Sequence, residues 1–373
     1  MLSVCLTGGP CAGKSTVLQY LKTELETRGY TVLAMPEAAT SLIRCGAVPN
    51  GNVPRSVFQN AVFLRYKNDY QICDTLCRAL DNKKTVVLYD RGPADQSAYI
   101  GLTAFETMIG EAGMTRAEIF ARYDAVFFLV TAAKGKAYAY ERCTKTNGGD
   151  TVRFETPEEA AVLDTATLWG WIGHPHLRVF EPTDDFTEKC RAVLSETLSL
   201  LEEHPKEIER KYVVTLPENG FPPDIVHSDG DEITQTLLVR RDPEIQRRVR
   251  RRGSERYGYT CYYTEKSRVT DGARFEDERI ISEEEYRSLL READPAHETT
   301  YKTRVCFVYA GRFFELDIYP FDARHAILEI ELNALDEIVS LPDFFPSIRD
   351  VTGDARYKNT TLAQTRRFPD DEA

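Results

Sequence analysis

Short apolar segments alternate with amphipathic stretches in the first half of the chain. The pattern predicts strands at LSVCLT, YTVLAMPE, KKTVVLYDRG, YDAVFFLV and LRVFEPT, with helical spacing between them. Strands that alternate with helices are typical of an α/β fold, with a parallel sheet and helices on both faces. The stretch FTEKCRAVLSETLSLLEEH predicts a closing helix that ends before Pro205.

The pattern changes from Lys206 onward, where polar and apolar residues alternate. Strands are predicted at IERKYVVTL, EITQTLLVR, QRRVRRR, GYTCYYTEK, KTRVCFVYAG, FFELDIYP and AILEIEL, interrupted by a helix at SEEEYRSLLREA. Period-two alternation indicates antiparallel strands with two different faces. We therefore predict an α/β domain over residues 1–204 and a mainly antiparallel α+β domain over residues 205–373.

The turn after the first predicted strand fits the phosphate-loop pattern GxxxxGK[ST]. Its glycines allow backbone N–H groups to point at phosphate oxygens, at the N-terminus of the following helix. We expect the loop to bind ATP or GTP, with Lys14 on the outer phosphates and Ser15 on Mg²⁺. The predicted nucleotide-binding residues are Gly8, Gly9, Pro10, Cys11, Ala12, Gly13, Lys14, Ser15, Thr16, Arg142 and Arg153.

Four positions outside the loop could contribute to phosphoryl chemistry in this half. Asp90 ends an apolar strand, where a metal-binding or catalytic carboxylate belongs, although a solvated turn is the alternative. Glu37 ends the second strand and could orient an acceptor or a water molecule, or simply begin a helix. Arg142 and Arg153 flank a polar loop that resembles a lid, and ordinary surface arginines are the alternative.

Charged residues recur at every second position of several predicted strands in the second half. The groups are Glu207 with Glu209 and Lys211, Arg248 with Arg250 and Arg252, Lys302 with Arg304, Glu315 with Asp317, and Glu329 with Glu331. Such residues share one face of a strand. For a single strand this indicates a solvated face, but closing the strands into a barrel would gather the charges inside. Basic residues would then bind a polyanion and carboxylates would bind Mg²⁺ or Mn²⁺.

The segment EIERK resembles the ExExK signature of the CYTH superfamily, the triphosphate tunnel metalloenzymes, and RVRRR, YYTEK, KTR, ELD, LEIEL and RYKN follow in order. The resemblance implies metal-assisted hydrolysis of a terminal phosphate. The implied metal ligands are Glu207, Glu209, Glu329 and Glu331, with Asp317 in support. The implied triphosphate ligands are Lys211, Arg248, Arg250, Lys266, Arg304 and Lys358. Glu209 and Lys211 are the expected catalytic residues here, as Asp90 is in the first domain.

The segments GGPCAGKST, PEAAT, DRG and WGWIGHPHLRVF resemble the P-loop domain of bacterial ribosylnicotinamide kinases. No NKxD motif is present, so the sequence leaves ATP and GTP open. The domain order resembles a eukaryotic fusion family that includes a fly protein of TRPL channel translocation, regarded as GTP- and phospholipid-binding. Plant proteins that fuse a uridine-kinase-like domain to a CYTH domain are also similar.

The leading hypothesis is a phosphohydrolase that acts on tripolyphosphate or a nucleoside triphosphate. One alternative is a regulatory protein that binds GTP and anionic phospholipid headgroups without turnover. The other is small-molecule or nucleoside kinase activity in the first domain.

Bulk composition narrows the classes further. A net charge of −12 argues against a nucleic-acid binder. No apolar run is long enough to predict a transmembrane helix, and the first residues lack the features of a secretory signal. Nine cysteines without a CxxC pair favour reduced thiols. Together these features predict a cytoplasmic protein.

Overall fold

A computed structural model describes residues 1–80, 84–136, 140, 155–202, 206–268, 274–332 and 336–369. For residues 206–207, 268 and 274–276 it describes the backbone alone. The chain divides into two compact units, Met1–Leu200 and Leu201–Ala373. The domain boundary derived from the sequence stays a prediction.

The first unit contains a parallel sheet with the strand order β2-β3-β1-β4-β5. Its strands are β1 (Leu2–Thr7), β2 (Thr31–Met35), β3 (Thr85–Asp90), β4 (Ala125–Leu129) and β5 (Leu177–Phe180). β1, β3 and β4 are buried along their whole length, which explains their continuous apolar sequences. The predicted α/β fold of this half is confirmed.

Eight helices of the first unit lie in the part of the chain that is described. They are α1 (Lys14–Thr27), α2 (Ala38–Arg44), α3 (Arg55–Cys77), α4 (Ser97–Ile100), α5 (Leu102–Glu111), α6 (Arg116–Phe120), α7 (Pro157–Trp171) and α8 (Phe186–Leu200). α1 buries Val17, Leu21 and Leu25 at helical spacing. α7 begins at a capping box, in which Thr156 and Glu159 satisfy each other's backbone N–H groups.

The second unit is an antiparallel barrel. Its strands are β6 (Lys206–Thr215), β7 (Asp231–Leu238), β8 (Ile245–Ser254), β9 (Gly258–Arg268), β10 (Arg274–Ile281), β11 (Thr300–Tyr309), β12 (Arg312–Ile318), β13 (His325–Leu332) and β14 (Ile348–Asp350). They follow the order β10-β9-β8-β7-β11-β12-β13-β6-β14, and β10 also pairs with β6. The last pairing closes eight strands into a ring, with β14 attached outside it. The predicted antiparallel tunnel domain is confirmed as a fold.

The alternation of polar and apolar residues did not predict β10, the strand that completes the ring. It pairs with β9 along its length and with β6 at Arg274↔Glu207 and Phe275↔Lys206. Its sequence RFEDERII carries charges at consecutive positions, so it lacks the alternation by which the other strands were recognised. Closure therefore depends on a strand with no period-two signal.

Apolar residues pack on the outward face of the barrel strands. Phe307, Phe314, Leu316 and Leu328 are at most 1% exposed in this cluster. The remaining helices are α9 (Glu283–Leu289) and α10 (Asn359–Thr365). No helix in the described ranges is both long enough and apolar enough to cross a membrane.

Candidate functional sites

The first candidate site is the loop between β1 and α1. Residues 8–13 connect the strand to Lys14, the first residue of the helix. Gly8 and Gly13 have φ angles of 132° and 87°, which glycine adopts without strain. A Cβ on Gly8 would lie 2.0 Å from the carbonyl oxygen of Leu129. The loop therefore lies directly against β4, in a backbone conformation that requires its glycines.

Lys14 begins α1 with its ammonium group turned back over the loop. Its Nζ donates to the carbonyl oxygens of Gly8 at 2.9 Å and Gly9 at 2.8 Å. Burial, assisted by the positive charge of Arg91, lowers the pKa of Lys14 to about 8. A phosphate beside this ammonium group would favour its charged form. The geometry therefore suits Lys14 to anion binding.

Ser15 lies against Asp90, the last residue of β3. Ser15 Oγ donates to Asp90 Oδ2 at 3.1 Å. Asp90 Oδ1 is buried and has no hydrogen-bond partner among the described residues. Burial, followed by the charge of Glu37, raises the pKa of Asp90. A hydroxyl group and a carboxylate with an orphaned oxygen are hard oxygen donors, so these residues fit the predicted Mg²⁺.

Arg91 joins the loop to two carboxylates and was not identified as a site residue from the sequence. Its Nε donates to Glu37 Oε1 at 2.8 Å, and its Nη1 donates to Asp95 Oδ2 at 2.9 Å and to the Gly8 carbonyl at 3.1 Å. Burial by itself would raise the pKa of Glu37, but Arg91 and Thr40 lower it overall. The DRG tripeptide was the available signal. Its partners could not be deduced because they come from distant segments.

Two further buried charges contact the loop without belonging to a motif. Asp164 of α7 is fully buried, and its Oδ1 accepts from the backbone N–H groups of Gly9 at 2.8 Å and Thr131 at 3.1 Å. Lys189 of α8 donates to the carbonyl oxygen of Val130 at 2.9 Å. Burial lowers the pKa of Lys189 to about 8. Both residues stabilise the loop and its neighbouring segment through backbone groups.

The other predicted nucleotide-binding residues differ in their surroundings. Pro10, Cys11 and Ala12 are buried within the loop, and Thr16 is exposed in the first turn of α1. Arg142 and Arg153 lie outside the described residues. Their predicted contacts with phosphate stay predictions.

The second candidate site is the inward face of the barrel. Residues directly opposite each other in an antiparallel pair project from the same face. Following the cross-strand register around the ring gives one face with Glu209, Lys211, Asp231, Arg248, Arg250, Arg252, Lys266, Glu278, Lys302, Arg304, Glu315, Asp317, Glu329 and Glu331. The side chains of Phe307, Phe314, Leu316 and Leu328 project from the opposite, outward face. The period-two charges therefore point into the barrel.

Arg304 in β11 is buried and pairs with three carboxylates. It donates to both carboxylate oxygens of Asp317 and to Glu329 Oε2, each at 2.7 Å, and also to Glu315. Lys302 forms a second ion pair with Asp317. Burial by itself would raise the pKa of Asp317, but Arg304 and Lys302 lower it overall. Arg304, predicted to bind phosphate, thus pairs with Asp317 and Glu329, which were predicted to bind the metal.

Lys211 connects two of the predicted metal ligands. Its Nζ lies 2.7 Å from Glu329 Oε1 and 3.3 Å from Glu209 Oε1. Burial would lower the pKa of Lys211, but the charges of Glu329 and Glu209 raise it overall. Glu209 lies opposite Glu331 in the β6–β13 register. Like charges in this position repel each other, and a cation between them would offset the repulsion.

The metal ligands named from the sequence stay a prediction. Among these, no group of three or more His, Cys, Asp or Glu residues is arranged to hold a metal. The Glu207 side chain lies outside the described residues. The carboxylate oxygens of Glu209, Glu329 and Glu331 nevertheless suit Mg²⁺ or Mn²⁺ chemically.

Three arginines of β8 enter the barrel with carboxylate partners that the sequence did not identify. Arg250 donates to Glu278 Oε1 at 2.7 Å, and Arg248 lies 3.7 Å from the other oxygen. Arg252 donates to Asp231 Oδ2 at 2.7 Å. Glu278 lies on β10, the strand that was missed, and Asp231 has no charged neighbour at period two in β7. These two carboxylates could therefore not be assigned from sequence patterns.

The last two predicted triphosphate ligands lie in different places. Lys266 is half-buried on the inward face of β9. Lys358 is exposed and directly precedes α10. The C-terminal segment packs Leu362 and Phe368 against Val213, which shares the inward face of β6 with Lys211. The apolar end of that face is therefore covered by the segment that carries Lys358.

Comparison with known proteins identifies the first unit. Two solved structures are similar to the chain at a TM-score of 0.30, which is too low to show a shared fold. One is described as the hypothetical protein NE1496, with 26% identity over 44% of this chain and 99% of that chain. The other is described as the inorganic triphosphatase NE1496, with 26% identity over 42% of this chain and 93% of that chain. No curated protein matches the chain.

The family described as "AAA domain" matches residues 3–189, half of the chain. The match includes the whole phosphate loop, so the chain belongs to this family.

Proposed function

We propose that the barrel is a metal-dependent phosphohydrolase of triphosphates and that the first unit binds ATP or GTP. The observation that carries the proposal is the inward face of the closed barrel. There, Lys211, Arg248, Arg250, Arg252 and Arg304 lie among carboxylates. A purely structural interior would bury apolar side chains, because buried charges are costly even when paired. The retained charges favour a polyanionic substrate.

The arginines provide the binding chemistry. A guanidinium group can donate two parallel hydrogen bonds to a phosphate, and it remains charged when buried. Arg248 and Arg250 both pair with Glu278. Lys211 and Arg304 both pair with Glu329. A triphosphate would take the place of these carboxylates as the partner of each cation. Its chain of phosphates matches cations that are spread over several strands.

Other carboxylates of the same inward face would provide the metal ligands, together with Glu329. Glu209, Glu329 and Glu331 would hold Mg²⁺ or Mn²⁺, with Glu207 and Asp317 as the further predicted ligands. The bound ion supplies charge neutralisation at the phosphate oxygens. The protein's own part is to fix the phosphate chain through its arginines and lysines, including Lys211, which lies beside Glu209 and Glu329.

Phosphate release from tripolyphosphate and from ATP or GTP, with Mg²⁺ or Mn²⁺, tests this proposal. We expect Glu209→Ala to lower tripolyphosphate hydrolysis at least about tenfold, because one charged ligand is lost. Glu284→Ala is the matched control, since Glu284 is exposed on α9. If the wild type releases no phosphate from any of these substrates, the hydrolase proposal fails and a binding protein without turnover remains. If only Lys14→Ala abolishes release, the activity belongs to the first unit.

Kinase activity in the first unit is a second candidate, favoured by Glu37. Its carboxylate is held by Arg91 at 2.8 Å and Thr40 at 2.6 Å and is kept ionised. An oriented carboxylate at the start of α2, just beyond β2, could accept a proton from a hydroxyl acceptor. ATP consumption that requires an added nucleoside and is lost in Glu37→Gln would support this function. Consumption that needs no acceptor would contradict it.

A further inference from the structure

An exposed aromatic ring lies beside the phosphate loop. Phe186 is the first residue of α8 and is 39% exposed. A Cβ on Gly13 would lie 2.4 Å from Phe186 Cε2 and 2.5 Å from Cζ. The ring therefore packs directly on the glycine that precedes Lys14, while part of its surface remains open to solvent.

Separate contacts fix this ring relative to the loop. Lys189, one turn further along α8, directs its ammonium group to the carbonyl oxygens of Val130 at 2.9 Å and Ala12 at 3.5 Å. Asp185 Oδ1 accepts from the backbone N–H of Thr187 at 2.9 Å, which caps the start of the helix. The first turn of α8 is thus held against the loop by Lys189, through Ala12, and by the packing of Phe186 on Gly13. Phe186 is held in place before any ligand binds.

We propose that Phe186 stacks against the base of a nucleotide whose phosphates occupy the loop. The inference rests on the proposed nucleotide binding and adds the group that would recognise the base. Phosphates held by the loop and by the start of α1 leave the sugar and base to extend along the neighbouring surface. The open ring of Phe186 is an aromatic platform on that surface. Aromatic stacking accepts any base, because every base has a π-face.

The ring would therefore favour nucleotides over bare phosphate chains without choosing between ATP and GTP. This agrees with the absence of a guanine-specific NKxD motif in the sequence. Asp184, two residues before Phe186 in the chain, forms an ion pair with Lys136. The ligand class is therefore a nucleoside triphosphate, and stacking would contribute affinity for ATP and GTP alike.

Binding of fluorescent methylanthraniloyl-ATP to the full chain tests the inference. Only the part of the fluorescence change that is lost in Lys14→Ala is counted, because that part reports binding at the loop. We expect Phe186→Ala to weaken ATP and GTP about tenfold and Phe186→Trp to retain their affinity. The dissociation constant of inorganic tripolyphosphate, obtained by displacing the probe, should equal that of the wild type, because tripolyphosphate has no base. Leu64→Ala is the matched control, since Leu64 is a 63% exposed apolar residue on α3.

Two outcomes would overturn the inference. One is an unchanged affinity for ATP in Phe186→Ala. The other is an equal loss of affinity for ATP and tripolyphosphate, which would mean that the ring only supports the loop. If the first unit does not bind nucleotides at all, the wild type gives no fluorescence signal that depends on Lys14. This result is distinguishable from both of the outcomes above.

Discussion

The phosphate loop of the first unit and the inward face of the barrel are suited to phosphate by different physical means. The loop is formed by neighbouring residues, and the groups predicted to bind anions there are mainly backbone N–H groups at the start of α1. In the barrel, the groups are side chains from strands far apart in sequence. Arg304 there already pairs with Asp317, Glu315 and Glu329. The positive potential of the loop comes mainly from the orientation of its backbone. The barrel instead contains fully charged side chains that form ion pairs with one another.

This difference determines how each site responds to substitution and to ligand. Backbone donors remain when a side chain changes, so the loop depends on conformation and on Lys14. In the barrel, removing one charge leaves its partner buried without compensation. A ligand must also replace existing ion pairs there, so binding of the anion and of the metal should be coupled. Four predictions examine this contrast, from the largest expected effect to the smallest.

Asp317→Ala should have the largest effect on stability. It removes the carboxylate that pairs with Lys302 and one of the three that pair with Arg304, in a position where Asp317 is fully buried. We expect a loss of about 3–5 kcal/mol in the free energy of unfolding of the barrel. Urea unfolding followed by circular dichroism measures this loss, while fluorescence of the tryptophans, Trp169 and Trp171, reports the first unit alone. Asp277→Ala, at an exposed position of β10, is the control. A loss below about 1 kcal/mol would show that the pairs are not the main source of stability.

Gly13→Ala should test the conformational dependence of the loop. Gly13 has a φ of 87°, and an added Cβ would meet Phe186. Gly29 has a similar φ of 83° but open space around it, so Gly29→Ala is the matched control. Each substitution should cost about 1–2 kcal/mol through the left-handed backbone. Only Gly13→Ala should exceed that cost and also weaken ATP binding. Equal effects in thermal unfolding and in ATP titration would argue against a steric role of the ring.

The pH dependence of nucleotide affinity should reveal Lys14. Its pKa of about 8 in the folded protein lies below that of an ordinary lysine, so it loses its charge as the pH rises through 8. ATP affinity should therefore fall about tenfold per pH unit above 8, accompanied by proton uptake on binding. The sign is opposite for stability, because the unfolded chain binds more protons between pH 8 and 10 and unfolding becomes less favourable there.

Lys14→Arg provides the control for this titration, since arginine keeps its charge over the whole range. Titrations of ATP from pH 7 to 9.5 should lose their slope in this variant. A slope that persists would assign the effect to Lys189, whose pKa is also lowered to about 8 by burial.

Arg279→Ala should have the smallest effect. Arg279 pairs with Glu285 at 2.5 Å, and both side chains are largely exposed, at 53% and 40%. An exposed pair contributes only about 0–1 kcal/mol and is screened by salt. The unfolding free energy of the barrel should therefore change by less than about 0.5 kcal/mol. A loss as large as that of Asp317→Ala would remove the distinction between inward and outward charges.

Local patterns were sufficient for part of the fold and of the site. The phosphate loop lies in a single segment whose glycines, lysine and serine specify its conformation and chemistry together. The strands of the first sheet were recognisable because a parallel sheet buried on both faces requires continuous apolar runs. In the second half, alternation identified seven strands and sorted their charges to one face.

Other features were invisible to the same reasoning. β10 carries charges on both faces, so its pairing with β6 depends on the ring being closed around it. Arg91 and Asp164 contact the loop from segments that no motif connects to it. The period-two pattern could show that Arg304 and Asp317 project to the same side of their strands, but not that they pair with each other. Phe186 had no pattern at all, because its position beside Gly13 depends on the approach of α8.

The sequence by itself determined which groups carry charge, which face of each strand they occupy, and where a phosphate-binding backbone begins. These properties follow from residues that are near one another in the chain, through the geometry of turns and strands. Only the tertiary structure decided which charges compensate which, and which groups surround the loop. Ion pairing requires approach within a few ångströms, and that approach is set by how strands and helices from distant segments pack.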